Sequence, residues 1–343
     1  MENLTNILVT GGGAPGSPGI LKALRADKSL KLFSCDIHEI SAGKFLADEY
    51  FTVLTGDAEN YIEDLLTKCV NRKIKIIFPI TTKELTPLSK SRSLFMQNGI
   101  EIIVSDFNEL SIANDKGKLY NHLKNNNIAV PNFSIANSVA QFKSAASLLG
   151  YPKNTFIFKP CVANGSRGFR IVNDTKTGHD LLFNEKPNST YISFNKATEI
   201  LAEKAFPPLV VSEYLPGQEY TVDCLVNNGK VQLIIPRTRE KMNNGISVAG
   251  TIEQNNEVIE YCSKILTQLK LDGPIGIQVK YSEKNVPLLV EINPRIQGTS
   301  VACIGANINI PLLAVRQKID SKITLPSIKW GTHFMRYYKE LYY

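Results

Sequence analysis

Short apolar runs alternate with stretches of helical spacing over the first hundred residues of the chain. Strands are predicted at 6–10, 32–35, 74–79 and 101–104, with one helix over 19–25 and another over 61–70. Strands that alternate with helices predict a parallel sheet covered on both faces. This first lobe is placed at 1–112. A further helix is predicted from Asn114-Asp115-Lys116 to about Asn125, ending in an asparagine-rich turn before Val130-Pro131.

Residues 128–200 read as a small α/β lobe centred on the apolar strand Thr155-Phe156-Ile157-Phe158-Lys159-Pro160. Residues 176–205 are polar and weakly patterned, which predicts a loop-rich insertion. Strand patterns return at 209–213, 221–226 and 231–236, and again around Gln278 and Glu291, with a helix at 256–269 between the two groups. The pattern contains no internal repeat, and the second and third lobes are placed at 113–205 and 206–343.

At 343 residues and 38.1 kDa the chain is too long for one core, which agrees with two or three lobes. A hydrophobic content of 43% and a charged content of 21% are ordinary for a globular protein in water. No apolar run approaches the roughly 18 residues that span a bilayer, so no membrane partner is expected. The start, Met1-Glu2-Asn3-Leu4-Thr5-Asn6, lacks the basic flank of a signal peptide, and a cytoplasmic location is expected. Six scattered cysteines without a CxxC pair argue for reduced core thiols, and four dispersed histidines argue against a histidine-based metal site. A net charge of +7 favours small anionic ligands. The basic residues are spread along helix faces without interleaved aromatics, so no nucleic-acid partner is expected.

Chemistry concentrates near Val290-Glu291-Ile292-Asn293-Pro294-Arg295. Glu291 and Asn293 are two apart, so a strand points both to one face. Gln278, thirteen residues before Glu291, lies in a second apolar run, and Ser282-Glu283-Lys284-Asn285 is polar enough to be the turn between them. Paired strands would bring one carboxylate and two amide oxygens together, a hard-oxygen set that suits Mg²⁺. A buried hairpin with a few polar residues on its wet face explains the same stretch without chemistry. Lys159 ends an apolar strand, where it would direct a compact charge to the edge of a cleft. Asn164-Gly165-Ser166-Arg167-Gly168 links two strands and offers backbone N–H groups and Arg167 to phosphates. An ordinary hairpin loop with an exposed lysine is the plain alternative. Residues 211–221 read as strand, Pro-Gly turn and strand, in which Glu219 could accept two ribose hydroxyls. Here the plain alternative is a hairpin with solvated acids.

Taken in order, these pieces resemble the ATP-grasp superfamily, and within it the carbamoyl-phosphate-synthetase-like branch, from residue 1 to about 316. The resemblance implies an α/β, three-lobed ATP-grasp fold. Its parts would be an N-terminal Rossmann-like pre-ATP-grasp domain, a small lid subdomain and a C-terminal catalytic subdomain, with ATP held between the last two. It implies ATP and Mg²⁺ as cofactors, with Mn²⁺ as a substitute ion. Lys159 and either Lys116 or Lys118 would bind phosphate, and Gly165, Ser166, Arg167 and Gly168 would form the phosphate lid. Glu213 and Leu215 would meet adenine through main-chain atoms, and Glu219 would hold the ribose. Gln278, Glu291 and Asn293 would bind the metal, and Arg295 would stabilise the transferring phosphoryl group together with Lys159. Arg237 and Arg239 resemble a substrate-side basic segment. Gly298, Thr299 and Ser300 follow the metal motif, where related enzymes line the acceptor site.

The implied activity is ligation: a carboxylate is activated as an acyl phosphate and coupled to an amine or similar nucleophile. Phosphoryl transfer needs positioning and charge neutralisation more than a protein nucleophile, which fits a chain without a Ser-His-Asp or Cys-His signature. The expected partners are small-molecule carboxylate and amine substrates, and a homodimer is left open. A single ATP-grasp unit without a second synthetase half or a glutaminase domain is not expected to make carbamoyl phosphate.

A different class competes at the N-terminus. Gly13, Gly16 and Gly19 follow a strand with the GxxGxxG spacing of NAD(P)-dependent short-chain dehydrogenases and epimerases, Asp36 ends the second strand, and a YxxxK occurs at Tyr120–Lys124. Against it, Pro15 and Pro18 remove two N–H groups, and residues 155–300 are left without a role. Close helix–strand packing, or binding of part of the substrate, is the expected use of the glycine turn. A non-catalytic ATP-binding module is a third possibility, disfavoured by the full set of metal and phosphate residues.

Overall fold

The apolar runs of the first hundred residues pair into one parallel sheet. In the computed structural model, which describes residues 4–163, 165, 167–178, 190–243, 245–320 and 322–343, five strands lie in the order Glu49–Thr52, Leu30–Asp36, Thr5–Val9, Ile76–Phe78, Glu101–Ile102. The edge strand Glu49–Thr52 buries only Phe51, so it has no apolar run to announce it. Along the central strand, Ile7 and Val9 face one core with Ile20, Leu21 and Leu24. Leu8 faces the other with Tyr61, Leu65, Leu85 and Leu88. Period-two alternation thus divides the apolar residues between two helical layers.

The chain divides into two compact units. The first comprises Met1–Ala113, Glu219–Val279 and Val290–Tyr343, the second Asn114–Gln218 and Lys280–Leu289. Besides the parallel sheet, the first unit carries most of a seven-stranded sheet in the order Lys241–Asn243, Ile246–Ile252, Lys230–Thr238, Glu219–Asn227, Gly273–Tyr281, Pro287–Asn293, with Thr332–Met335 paired on Ile246–Ile252. The two sheets of this unit share a continuous core, in which Ile7, Val9 and Ile20 pack with Leu225, Ile235, Ile252 and Cys303. The helix Asn256–Leu269 starts where the Asn255 side chain accepts from Val258 N. It buries Val258, Tyr261, Cys262, Ile265, Leu266 and Leu269, the spacing of one helical face.

The second unit holds a five-stranded sheet in the order Phe133–Ala136, Leu209–Glu213, Phe156–Pro160, Arg170–Val172, Tyr191–Ile192. Its core is aromatic: Phe142 packs edge-on to Phe158 and stacks on Phe194, which stacks in turn on Tyr151. Two expectations change here. The stretch read as a loop-rich insertion contains the strand Tyr191–Ile192 and the helix Phe194–Ala202, capped by the Ser193 hydroxyl, while residues 179–189 lie outside the described residues. The strands on either side of Pro216-Gly217 do not form a hairpin, because Leu209–Glu213 and Glu219–Asn227 belong to different sheets. All six cysteines are free and buried, as expected.

Candidate active site

In the first unit, Gln278, Glu291 and Asn293 sit on the hairpin read from the sequence. The strands Gly273–Tyr281 and Pro287–Asn293 are neighbours, joined by a turn in which Ser282 N donates to Val286 O at 2.9 Å. Gln278, Glu291 and Asn293 are half-buried, and Asn293 Nδ2 donates to Glu291 Oε1 at 3.2 Å. Strand alternation therefore puts the carboxylate and the amide on one face. Among the described residues no three His, Cys, Asp or Glu side chains form a metal cluster. A set of one carboxylate and two amides fits an ion that keeps several waters and suits Mg²⁺ better than a soft metal.

Two arginines feel the Glu291 charge. Burial lowers the Arg239 pKa, opposed by the Glu219 and Glu291 charges. Arg239 Nη1 lies 3.1 Å from Glu219 Oε1 and donates to Thr221 Oγ1 at 3.3 Å, while Nη2 donates to Gly245 O at 2.8 Å. Burial likewise lowers the Arg295 pKa, opposed by Glu291 and Glu84. One carboxylate thus acts on two guanidinium groups and opposes the effect of their burial.

Arg237 stands apart. It is fully buried, donates from Nε to Asp223 Oδ2 at 2.5 Å and from Nη2 to Thr299 Oγ1 at 2.9 Å. Ser300 Oγ donates to Asp223 Oδ1 at 2.5 Å. Thr299 and Ser300 are therefore bonded into the core through a buried ion pair, and among the described residues Arg237 Nη1 has no hydrogen-bond partner. Asp223 was missed in the sequence, although a lone acid inside Thr221-Val222-Asp223-Cys224-Leu225-Val226 signals a buried charge that needs a partner.

In the second unit, Lys159 is buried rather than exposed. Its Nζ donates to Tyr120 OH at 3.4 Å and lies 5.6 Å from the ring centroid. Tyr120 OH donates to Leu289 O at 2.9 Å. Lys116 begins the helix Lys116–Asn125 behind the Asp115 cap, and its Nζ donates to Ala163 O at 3.1 Å, at the root of the glycine loop. Lys118, three residues after the cap, is exposed. Gly165 and Gly168 both take positive φ, +63° and +76°, and a Cβ on Gly168 would lie 2.7 Å from Pro160 Cδ. Arg167 is exposed, and Ser166, like Asn164, lies outside the described residues. Glu213 N donates to Asn132 O at 2.9 Å and Oε1 accepts from Asn132 N at 2.7 Å, so its side chain is used internally; Leu215 is buried.

The N-terminal glycine turn is closed by packing. Gly12 N donates to Cys35 O and Gly43 N to Gly12 O, at 2.9 and 3.0 Å. A Cβ on Gly43 would lie 2.8 Å from Gly12 Cα, and one on Gly16 would lie 2.3 Å from Gly298 Cα. Gly13 N donates to Asp36 Oδ2 at 2.7 Å, which takes the acid that a ribose would need. The YxxxK tyrosine is buried and bonded to Leu289 O. The dinucleotide reading is therefore set aside: the Ser34 and Ser41 side chains and the Gly43 backbone occupy the space beside Gly12, and Gly16 abuts Gly298.

Comparison with known proteins places the fold. Residues 205–335 match the family described as ATP-grasp in the biosynthetic pathway with Ter operon, and residues 7–103 match the PylC-like N-terminal domain. The carbamoyl phosphate synthase large chain of Caldanaerobacter subterraneus subsp. tengcongensis is 28% identical over 248 residues, covering 69% of this chain and 21% of that protein. The large chain of Thermotoga neapolitana is 26% identical over 289 residues, covering 81% of this chain and 24% of that one. The chain thus spans less than a quarter of the length of these relatives. Among solved structures, N5-carboxyaminoimidazole synthetase from Staphylococcus aureus superposes with a TM-score of 0.68 at 18% identity, covering 97% of this chain and 82% of that one. Biotin carboxylase from Campylobacter jejuni gives 0.70 at 17% identity, covering 96% of this chain and 74% of that one. The solved structures share the fold, residues 205–335 match an ATP-grasp family, and the chain is similar in sequence to the carbamoyl phosphate synthase large chain.

Proposed function

We propose that the protein is an ATP- and Mg²⁺-dependent ligase that activates a small-molecule carboxylate as an acyl phosphate and couples it to an amine or similar nucleophile. The observation that carries this reading is the strand face shared by Glu291 and Asn293, whose side chains are hydrogen-bonded to each other, with the Glu291 charge acting on both Arg239 and Arg295. Gln278, Glu291 and Asn293 would hold Mg²⁺, which supplies charge neutralisation on the transferring phosphate; Mn²⁺ would serve as a substitute. Arg295 stabilises the phosphoryl group in transit, and Lys159 and Lys116 hold nucleotide phosphates. Lys116 is preferred over Lys118 because its ammonium already meets the root of the glycine loop. Arg239 is preferred over Arg237 for the substrate carboxylate, since Arg237 is committed to Asp223 and fully buried. Thr299 and Ser300 then act by shaping the chain around Gly298. Among the described residues no helix is long and apolar enough to cross a membrane.

The test is the shift in thermal midpoint with Mg²⁺-ATP against NADH and NADPH in one buffer. A ligand specific for the folded state at about 100 times its dissociation constant stabilises by roughly 2.7 kcal/mol. The expected result is a Mg²⁺-dependent shift with ATP and none with the nicotinamides, followed by ADP release in a screen of carboxylates with amines. A shift with a nicotinamide alone would overturn the assignment.

A further inference from the structure

Arg295, just past the strand Pro287–Asn293, is not held by its own segment alone. Its Nη1 donates to Ile296 O at 2.7 Å, but its Nε donates to Thr82 Oγ1 at 3.2 Å, 213 residues away in the N-terminal segment. Thr82 is the first residue of the helix Thr82–Lys90, whose start is closed by a reciprocal capping box between Thr81 and Glu84. Glu84 is buried. Its Oε1 accepts from Thr10 Oγ1 at 2.7 Å and from both Thr81 N and Thr81 Oγ1 at 2.8 Å, while Oε2 accepts from Tyr61 OH at 3.0 Å. Burying a carboxylate is costly unless it is bonded on several sides, and here two bonds close the helix start on its own cap Thr81, one reaches Thr10 just past the strand Thr5–Val9, and one reaches Tyr61 on the helix Tyr61–Asn71. The place of Thr82 is thereby fixed from the strand Thr5–Val9 and the helix Tyr61–Asn71. Burial pushes the Glu84 pKa up against these bonds, and its charge in turn favours the Arg295 guanidinium.

We propose that Thr82 is a positioning residue for Arg295, and that Glu84 fixes Thr82, so the N-terminal domain aims the arginine at the transferring phosphoryl group. The inference rests on the ligase reading above, because it presumes that Arg295 meets that group. An arginine with one Nη and Nε both engaged keeps the remaining Nη in a set direction, whereas loss of the Thr82 bond frees the planar head to rotate.

The experiment measures binding of Mg²⁺-ADP alone and of Mg²⁺-ADP with aluminium fluoride, a mimic of the phosphoryl group in transit. Wild type, Arg295→Ala, Thr82→Val, Thr82→Ser and Glu84→Gln are compared by calorimetry. The wild type is expected to bind the mimic more tightly than Mg²⁺-ADP, and Arg295→Ala is expected to lose that preference. Thr82→Val should weaken the mimic by about tenfold, the effect of one hydrogen bond to a charged group, with Mg²⁺-ADP affinity unchanged. Thr82→Ser, which keeps the hydroxyl, should restore it. Glu84→Gln should follow Thr82→Val; if that variant does not fold, the threonine pair decides alone. Equal mimic binding by Thr82→Val and wild type, with Arg295→Ala impaired, would overturn the positioning role and leave the ligase reading standing. No effect of Arg295→Ala would overturn both. Equal weakening of Mg²⁺-ADP and mimic, or failure of serine to rescue, would reduce Thr82 to a structural residue and overturn the proposal.

Discussion

The hairpin bearing Glu291 and the glycine turn at Gly11–Gly19 both look like binding motifs in the sequence, and they end in opposite conditions. On the hairpin, Gln278, Glu291 and Asn293 stay half-buried on their strands, and the Glu291 charge acts on Arg239 and Arg295. At the glycine turn, Gly12 packs against Gly43, Gly16 abuts Gly298 and the Gly13 N–H is spent on Asp36. Glycine admits close approach of any backbone, whether it belongs to a ligand or to the chain itself. The difference teaches that a glycine pattern specifies space, and only the surrounding elements decide what fills it. A carboxylate and an amide two residues apart on a strand carry their own chemistry, which packing can only expose or cover.

The largest effect expected from this contrast is at Glu291. Glu291→Ala removes the only carboxylate of the proposed Mg²⁺ set, and turnover to ADP should fall by about 10²–10³-fold, as for loss of one preorganised charge-stabilising group. Folding should be intact, because the side chain is only half-buried on its strand face. The readout is the Mg²⁺-dependent part of the ATP-induced rise in thermal midpoint, which should vanish in this variant. An undiminished Mg²⁺ dependence would remove the metal from this hairpin.

Gly16→Val tests the other side of the contrast and should act on stability. The added Cβ would lie 2.3 Å from Gly298 Cα, a backbone atom that cannot rotate away. Overpacking of this kind costs about 1–3 kcal/mol, so thermal unfolding should move down by several degrees. Because Gly298 lies three residues beyond Arg295, a fall in ATP turnover at temperatures where the variant is folded is expected as well. A variant as stable as the wild type would show that the turn has room, and would reopen it as a ligand site.

These two regions also mark what the sequence makes legible. The strand Leu209–Glu213 and the helix Asn256–Leu269 follow directly from apolar periodicity, and the hairpin follows from two apolar runs and a polar turn. The helix Phe194–Ala202 had its signal in Phe194, Ala197 and Leu201 behind a serine cap, but the polar flanks diluted it. The helix Thr82–Lys90 contains Pro87, which speaks against a helix in local terms, although the Thr81-to-Glu84 capping box was there to be read. Contacts such as Gly16 with Gly298, Arg237 with Asp223 and Arg295 with Thr82 were not legible. They are set by how two sheets share one core, and nothing in the local sequence encodes which distant segment will arrive.

The smallest effect belongs to Asp36, and it tests the contrast from within the turn. Its Oδ2 accepts from Gly13 N at 2.7 Å and its Oδ1 from His38 N at 3.2 Å, so the carboxylate closes its own loop. Asp36→Asn keeps one acceptor oxygen and turns an amide toward the other N–H. The cost should be about 1 kcal/mol, read as a drop of a few degrees in thermal midpoint. Neither the wild type nor this variant should be stabilised by NADH or NADPH, and the response to Mg²⁺-ATP should be the same in both. A ribose-binding acid would behave otherwise: the wild type would rise with a nicotinamide nucleotide, and the asparagine variant would lose that rise while unfolding at nearly the same temperature without ligand. That outcome would make the closed turn a site that opens for its ligand. The packing around Gly12 and Gly43 would then have to part on binding, at the expense of the two backbone hydrogen bonds that now hold it shut.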